Sequence, residues 1–204
     1  YEATASRMFH IPQESIVKGN PNYEYRQKGK QATLSCGYGG GVGALKAMGA
    51  KMPEEEMQPL VDAWRAANPN IVAFWNALDR AARAIIRRKT SARIGKVALY
   101  WQDDKMFMRL PSGRNLCYQS PHFTENRFGN DAIGYYAPNA AGQMVVQETF
   151  GGKLAENATQ AIARDILAHA LLTLEKNGYP VIFHVHDEAV IEKPIGQVIS
   201  AFVP

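Results

Sequence analysis

The hydrophobic period of this chain changes three times along its length, and that pattern constrains the fold more than any other feature. Apolar residues at 71, 74, 75, 78, 82, 85 and 86 follow the spacing of an amphipathic helix over about Ile71 to Arg88. Helices are also predicted over about Tyr1 to Phe9, Tyr23 to Cys36 and Pro53 to Ala67. The last opens on Glu54, Glu55 and Glu56, acids that suit the positive end of a helix dipole. From Val97 the pattern becomes strand-like, over Val97 to Trp101, Lys105 to Leu110 and Arg114 to Tyr118, with Pro111-Ser112-Gly113 as a tight turn. Tyr135 and Gln143 to Glu148 suggest further strands around Pro138-Asn139. The helical period returns over about Lys153 to Asn177, ended by Gly178, and two short apolar strands follow, Pro180 to His186 and Ala189 to Glu192. The pattern predicts an α+β fold, with a mostly helical first half, a small β insertion at about 97–150, then a long helix and an antiparallel hairpin at 180–193.

The 204 residues, 46% hydrophobic and 21% charged, suffice for one domain or two small ones. Two cysteines, Cys36 and Cys117, show neither metal nor disulfide spacing, which points to a reducing cytoplasm. No apolar run approaches membrane-spanning length and no signal peptide opens the chain, so no membrane partner is expected. The net charge of +4 is compatible with a nucleic-acid partner, but the distribution is more informative. Arg80, Arg83, Arg87, Arg88, Lys89, Arg93 and Lys96 follow one another with no acid after Asp79, and Arg87 and Arg88 are candidate DNA contacts. Tyr1 falls inside a predicted helix and Ile199 to Val203 begin a new apolar pattern, so both ends read as cuts from something longer.

Two clusters carry possible chemistry. Arg26, Lys30, Leu34 and Tyr38 recur every four residues, which places them along one face of the second helix. The face is cationic at one end and apolar, then aromatic, at the other. It suits a nucleoside triphosphate, with Arg26 and Lys30 on the phosphates and Leu34 and Tyr38 near sugar and base. An ordinary solvated amphipathic face shows the same spacing. The glycines from Gly37 to Gly43 fit neither a Walker loop nor a dinucleotide fingerprint, and they read as a helix terminus and hinge.

The second cluster is His184-Val185-His186-Asp187-Glu188. Alternation sends Val181, Phe183 and Val185 to one face and Ile182, His184 and His186 to the other, leaving Asp187 and Glu188 in the turn. Adjacent acids between buried strands suit a hard cation such as Mg²⁺. A plain polar turn and a transition-metal site on His184 and His186 are the alternatives.

Taken together and in order, these segments resemble family A DNA polymerases, the DNA polymerase I family, in their phage-type branch. Arg26, Lys30 and Tyr38-Gly39 look like motif B, and His186-Asp187-Glu188 looks like motif C. Gln160, within Glu156-Asn157-Ala158-Thr159-Gln160-Ala161, resembles the glutamine that reads the minor groove of primer–template DNA. Leu110-Pro111-Ser112-Gly113-Arg114 and Thr149-Phe150-Gly151-Gly152-Lys153 resemble phage-branch segments, and Tyr1-Glu2-Ala3-Thr4-Ala5 resembles the segment after motif A. The resemblance implies a fingers region over 1–152 and part of an antiparallel-sheet palm over 153–204. It also implies template-directed transfer of nucleotides from dNTP to a primer 3′-hydroxyl by a two-metal mechanism.

Carried over, Arg26 and Lys30 would contact the dNTP phosphates, Lys30 with a catalytic part. Tyr38 would stack near the templating position, and Leu34 stands where the family usually carries Phe or Tyr. Asp187 would ligate Mg²⁺ with Glu188 in support, and His186 and Gln160 would touch the primer strand. Asn157 lies three residues before Gln160 instead of four and is not mapped. Motif A, the thumb and any proofreading domain have no counterpart in the 204 residues. The chain is therefore expected to be a fragment, inactive alone, whose partners are primer–template DNA, dNTP and the remainder of the polymerase. Two other functions fit parts of the sequence. A non-catalytic nucleic-acid-binding module would use the basic run, and a metal-dependent hydrolase would use His184, His186 and Asp187.

Overall fold

Amphipathic period becomes helix wherever it is strong. The computed structural model describes residues 1–50, 52–126 and 129–194. The predicted apolar pattern of Ile199 to Val203 lies outside them. The helices are α1 (Glu2–Phe9), α2 (Glu24–Cys36), α3 (Val42–Ala47), α4 (Glu54–Ala67), α5 (Pro69–Arg88) and α6 (Gly151–Lys176). Between α5 and α6 run strands β1 (Ser91–Ile94), β2 (Val97–Gln102), β3 (Lys105–Arg109), β4 (Asn115–Glu125), β5 (Asp131–Pro138) and β6 (Met144–Thr149). They pair in sequence order, all antiparallel, as one six-stranded meander. Strands β7 (Val181–Val185) and β8 (Glu188–Ile191) form a separate hairpin. The fold is α+β, as the period predicts.

One apolar core joins helices and sheet. α5 turns Trp75, Leu78, Ala82, Ile85 and Ile86 inward, a stripe at helical spacing. Trp64 of α4 stacks on Trp75 with centroids 5.8 Å apart and planes 8° apart, a large buried aromatic contact between the two helices. The inner face of the sheet adds Val97, Leu99, Met106, Met108 and Tyr118, and the first half of α6 adds Leu154, Ala155 and Ala158. α1 lies close against α2 because Gly29 has no side chain: a Cβ there would sit 2.9 Å from the Tyr1 carbonyl oxygen and 3.0 Å from Ala5 Cβ. Ion pairs Lys28–Glu56 and Lys46–Glu54 link α2 and α3 to α4.

Several local predictions need correction. The β insertion is larger than expected, beginning at Ser91, and β4 continues past Tyr118 to Glu125. Pro121 and the left-handed Ser120 (φ 42°) disguise that continuation, because a bulge between Gln119 and His122 absorbs them. α5 begins at Pro69, whose missing N–H costs nothing in the first turn. The glycine cluster is only partly a hinge, since α3 starts inside it at Val42.

Candidate functional site

α2 carries Arg26, Lys30 and Leu34. Arg26 Nε donates to Glu2 Oε1 at 2.5 Å, an ion pair between α2 and α1 that the close approach at Gly29 permits. The Glu2 carboxyl is held down at about 2, first by a backbone hydrogen bond, then by Arg26. The Arg26 guanidinium lies 5.7 Å from the Tyr1 ring centroid and 6.0 Å from that of Tyr23, and Lys30 Nζ lies 6.0 Å from Tyr1. Lys30 and Leu34 border a cleft of about 570 Å³ with Lys28 and Met52. Leu34 also enters a neighbouring apolar cleft of about 520 Å³ with Tyr38, Trp64, Phe74 and Thr159. Leu34 and Tyr38 are exposed, at 47% and 37%. One element of the prediction fails: Tyr38 lies beyond the end of α2 at Cys36, in the turn that follows, so the four residues do not share one helix face.

The start of α6 positions Tyr38. Gly39 has φ +83°, which glycine adopts without strain, and a Cβ there would lie 3.1 Å from Phe150 Cε2. A Cβ on Gly152 would lie 2.1 Å from the Tyr38 carbonyl oxygen, and one on Gly151 would lie 2.0 Å from that of Trp75. The Gly151-Gly152 backbone therefore sits directly on the Tyr38-Gly39 turn and on α5. Asp79 fastens this junction: its Oδ1 accepts from the Gly151 N–H at 3.1 Å, and its Oδ2 accepts from Arg83 Nε at 2.7 Å. Sequence reading missed Phe150, Gly151, Gly152 and Asp79 as positioning residues. Paired glycines opening a long helix were the available signal, since they mark close backbone approach.

Gln160 opens on the other side of α6. It is exposed, donates to Glu156 Oε1 at 3.2 Å, and borders a cleft of about 530 Å³ with Arg114, Tyr118, Asn157 and Arg164. Arg114 Nε donates to Asp165 Oδ1 at 2.7 Å, and Ser112 Oγ donates to Asp165 Oδ2 at 2.6 Å. These bonds tie the Leu110 to Arg114 turn to α6 and hold the Asp165 carboxyl below its usual range, Ser112 first and Arg114 second. Asn157 donates to the Tyr118 hydroxyl at 3.0 Å. Burial pushes that phenol up to about 12, and the Asn157 bond partly opposes the shift.

The hairpin differs in detail from its prediction. His186 and Asp187 form the turn, with His186 at φ 52°, while Glu188 opens β8 opposite Val185. Asp187 thus sits at the hairpin tip beside Glu188, but only one of the two acids is in the turn. The flanking strands are apolar and not buried: Ile182 is 56% exposed, Phe183 53% and Val185 47%. Among the described residues, no hydrogen bond or ion pair joins Asp187 or Glu188 to Arg26 or Lys30. Among the described residues, no group of three or more His, Cys, Asp or Glu is placed to hold a metal, His184 and His186 included. Two exposed, adjacent carboxylates are the oxygen donors that Mg²⁺ takes, and they fit one side of such a site. Arg87 and Arg88 end α5 exposed, with the Arg87 guanidinium 4.9 Å from the Phe123 ring centroid. No helix among the described residues is long and apolar enough to cross a membrane.

Comparison with known proteins adds one relative. No family profile matches the chain, and no solved structure matches it. The chain is 45% identical over 202 residues to a DNA polymerase of Bacillus phage SP02, a match covering 97% of this chain and 31% of that protein. The chain thus spans less than a third of the length of this curated relative, and its likeness to a phage DNA polymerase runs almost from end to end.

Proposed function

We propose that this chain is part of a phage-type family A DNA polymerase, contributing the dNTP-binding face and one carboxylate turn of the nucleotidyl-transfer site. The observation that carries this reading is the 45% identity to a phage DNA polymerase over 97% of the chain. The geometry agrees with it. Lys30 lines one cleft with Leu34, and Tyr38 lines the neighbouring one with Leu34, its backbone seated on Gly152. Arg26 spends its Nε on Glu2, which leaves its terminal amines as donors to a phosphate.

In this reading Arg26 and Lys30 hold the triphosphate, Leu34 and Tyr38 border sugar and base, and His186 and Gln160 meet the primer strand. Arg87 and Arg88 meet DNA phosphates. Asp187, with Glu188 beside it, would hold Mg²⁺ together with carboxylates from the rest of the polymerase. Two such ions supply charge neutralisation at the primer 3′-hydroxyl and the leaving pyrophosphate. Residues 1–152 then correspond to fingers and 153–204 to part of the palm. Exposed apolar side chains on α6 and the hairpin, Ile166 at 65%, Leu172 at 61% and Phe183 at 53%, support packing against further polymerase chain carrying motif A and the thumb.

The test is dNTP binding by the 204-residue chain in Mg²⁺, read from tryptophan fluorescence, because Trp64 and Trp75 line the Leu34–Tyr38 cleft. Lys30→Ala should weaken binding by about tenfold or more, the loss of one charge-assisted contact to phosphate. Equal affinity in wild type and Lys30→Ala would remove Lys30 from the site.

A further inference from the structure

The sheet has two faces, and the helices cover one of them. Its ladders place Tyr100 opposite Phe107 and Phe107 opposite Cys117, all pointing away from the core residues Leu99, Met106 and Met108. Tyr100 and Phe107 stack with centroids 5.3 Å apart and planes 20° apart, both half-buried. Arg109 is exposed on the same face, its guanidinium 5.4 Å from the Tyr100 centroid. Arg93, on the edge strand, pairs with Ala98 in the row that contains Arg109, and it is also exposed. Lys105, Gln119 and the 42%-exposed Tyr136 make the next row. Glu148 lies on this face too, but on β6, three strands from Arg109. The β1–β3 end therefore presents a half-buried aromatic pair with Arg93, Lys105 and Arg109 around it, while the exposed Asp103 and Asp104 stand in the β2–β3 turn beside Lys105 and accept from Gln102 and Ser120.

From this arrangement we infer that the outer face of the six-stranded sheet is a docking surface for single-stranded DNA, separate from the nucleotide-transfer site. A stacked ring pair already held by its strands loses little freedom when a base is added to the stack, and every base has a π-face to offer. Arg93, Lys105 and Arg109 stand where the backbone phosphates of such a strand would run. Duplex DNA suits the face less, because its bases stack on each other and expose only edges. A sheet that binds by aromatic stacking takes unpaired bases, as other sheet-based nucleic-acid modules do. The surface goes beyond the polymerase reading, since it needs neither dNTP nor Mg²⁺, and it would hold unpaired strand near the β insertion.

The exposed Cys117 beside Phe107 gives a direct reporter, and Cys36 does not interfere: it is fully buried and its thiol is pushed up to about 11 by that burial. The experiment follows maleimide labelling of Cys117 in the 204-residue chain with oligodeoxythymidine, the same length of duplex DNA, or oligouridine. Oligodeoxythymidine binding is measured in parallel by fluorescence anisotropy. Single-stranded DNA should slow Cys117 labelling several-fold, and duplex should not. Binding should weaken with salt at a log–log slope of about −2, as three cations at about 0.7 each predict. Tyr100→Ala should weaken it by about tenfold or more. Arg109→Glu, at an exposed position that does not threaten folding, should weaken it too, whereas the Arg87→Ala, Arg88→Ala pair should leave Cys117 protection intact. Binding without Cys117 protection, stronger protection by duplex or RNA, or unchanged affinity in Arg109→Glu would each overturn the assignment.

Discussion

Gly152→Ala tests the junction that holds Tyr38. Inside a helix, glycine to alanine ordinarily stabilises by about 0.5–1 kcal/mol, because alanine restricts the unfolded chain more. Here the new Cβ would lie 2.1 Å from the Tyr38 carbonyl oxygen and 2.7 Å from both the Tyr38 carbonyl carbon and Phe150 Cε2. Close carbon–oxygen contacts stop at about 3.3 Å, so the gap must open by about 1 Å. The Phe150 ring can swing away, but the Tyr38 carbonyl is backbone and cannot move without shifting either the start of α6 or the end of α2. Overpacking of this kind costs about 1–3 kcal/mol, and a backbone clash belongs at the upper end. After the propensity gain, the net loss is about 2 kcal/mol. For a chain of this size that lowers Tm by about 4–8 °C. Gly43→Ala is the matched control. Gly43 lies in α3 at negative φ, and a Cβ there meets nothing within 4 Å, so alanine should stabilise by up to about 1 kcal/mol. Thermal unfolding followed by circular dichroism reads both. If Gly152→Ala unfolds at or above the wild-type temperature, the close seating of α6 on the Tyr38 turn is wrong.

Three further outcomes are expected. The Asp165 carboxyl is depressed by Ser112 and Arg114, so its contribution to stability is full above the ordinary aspartate range and is lost as pH falls through the lowered folded value. Asp165→Asn should therefore flatten the acid limb of the stability–pH curve, and identical acid limbs in the two proteins would contradict the assignment. On the proposed polymerase reading, Leu34→Tyr in the full-length protein should raise use of dideoxynucleotides, since a phenol at this position would supply a donor that leucine lacks; unchanged chain termination in a primer-extension assay would refute the mapping of Leu34. On the same reading, the 204-residue chain alone should not extend a primer in Mg²⁺, because Asp187 and Glu188 would supply carboxylates on one side only. Extension abolished by Asp187→Ala would show that the chain holds a complete site.

Short-range physics accounts for the features that were legible in the residues alone. Helical period placed α2, α5 and α6 to within a few residues of their observed ends, because side chains three and four apart report directly on one face. Gly178, at φ 74°, ended α6 as read, and strand alternation placed Asp187 at a hairpin tip. Other features depended on partners distant in the chain. β1 is a strand because Ser91 to Ile94 pair with β2, although Ser91-Ala92-Arg93-Ile94 has little strand character of its own. β4 runs through Pro121 because the bulge lets β5 pair on past it. Tyr38 left the predicted helix face when α2 ended at Cys36, and its place is set by Gly152, more than a hundred residues on. Glu2 engages Arg26 across 24 residues, and Asp79 reaches Gly151 across 72. The hairpin strands are apolar by sequence yet exposed in the fold, since apolar character states a preference for burial and only tertiary packing supplies the cover. Local period is written residue by residue, whereas close approach, ion pairing and burial belong to pairs of segments that meet only when the chain folds.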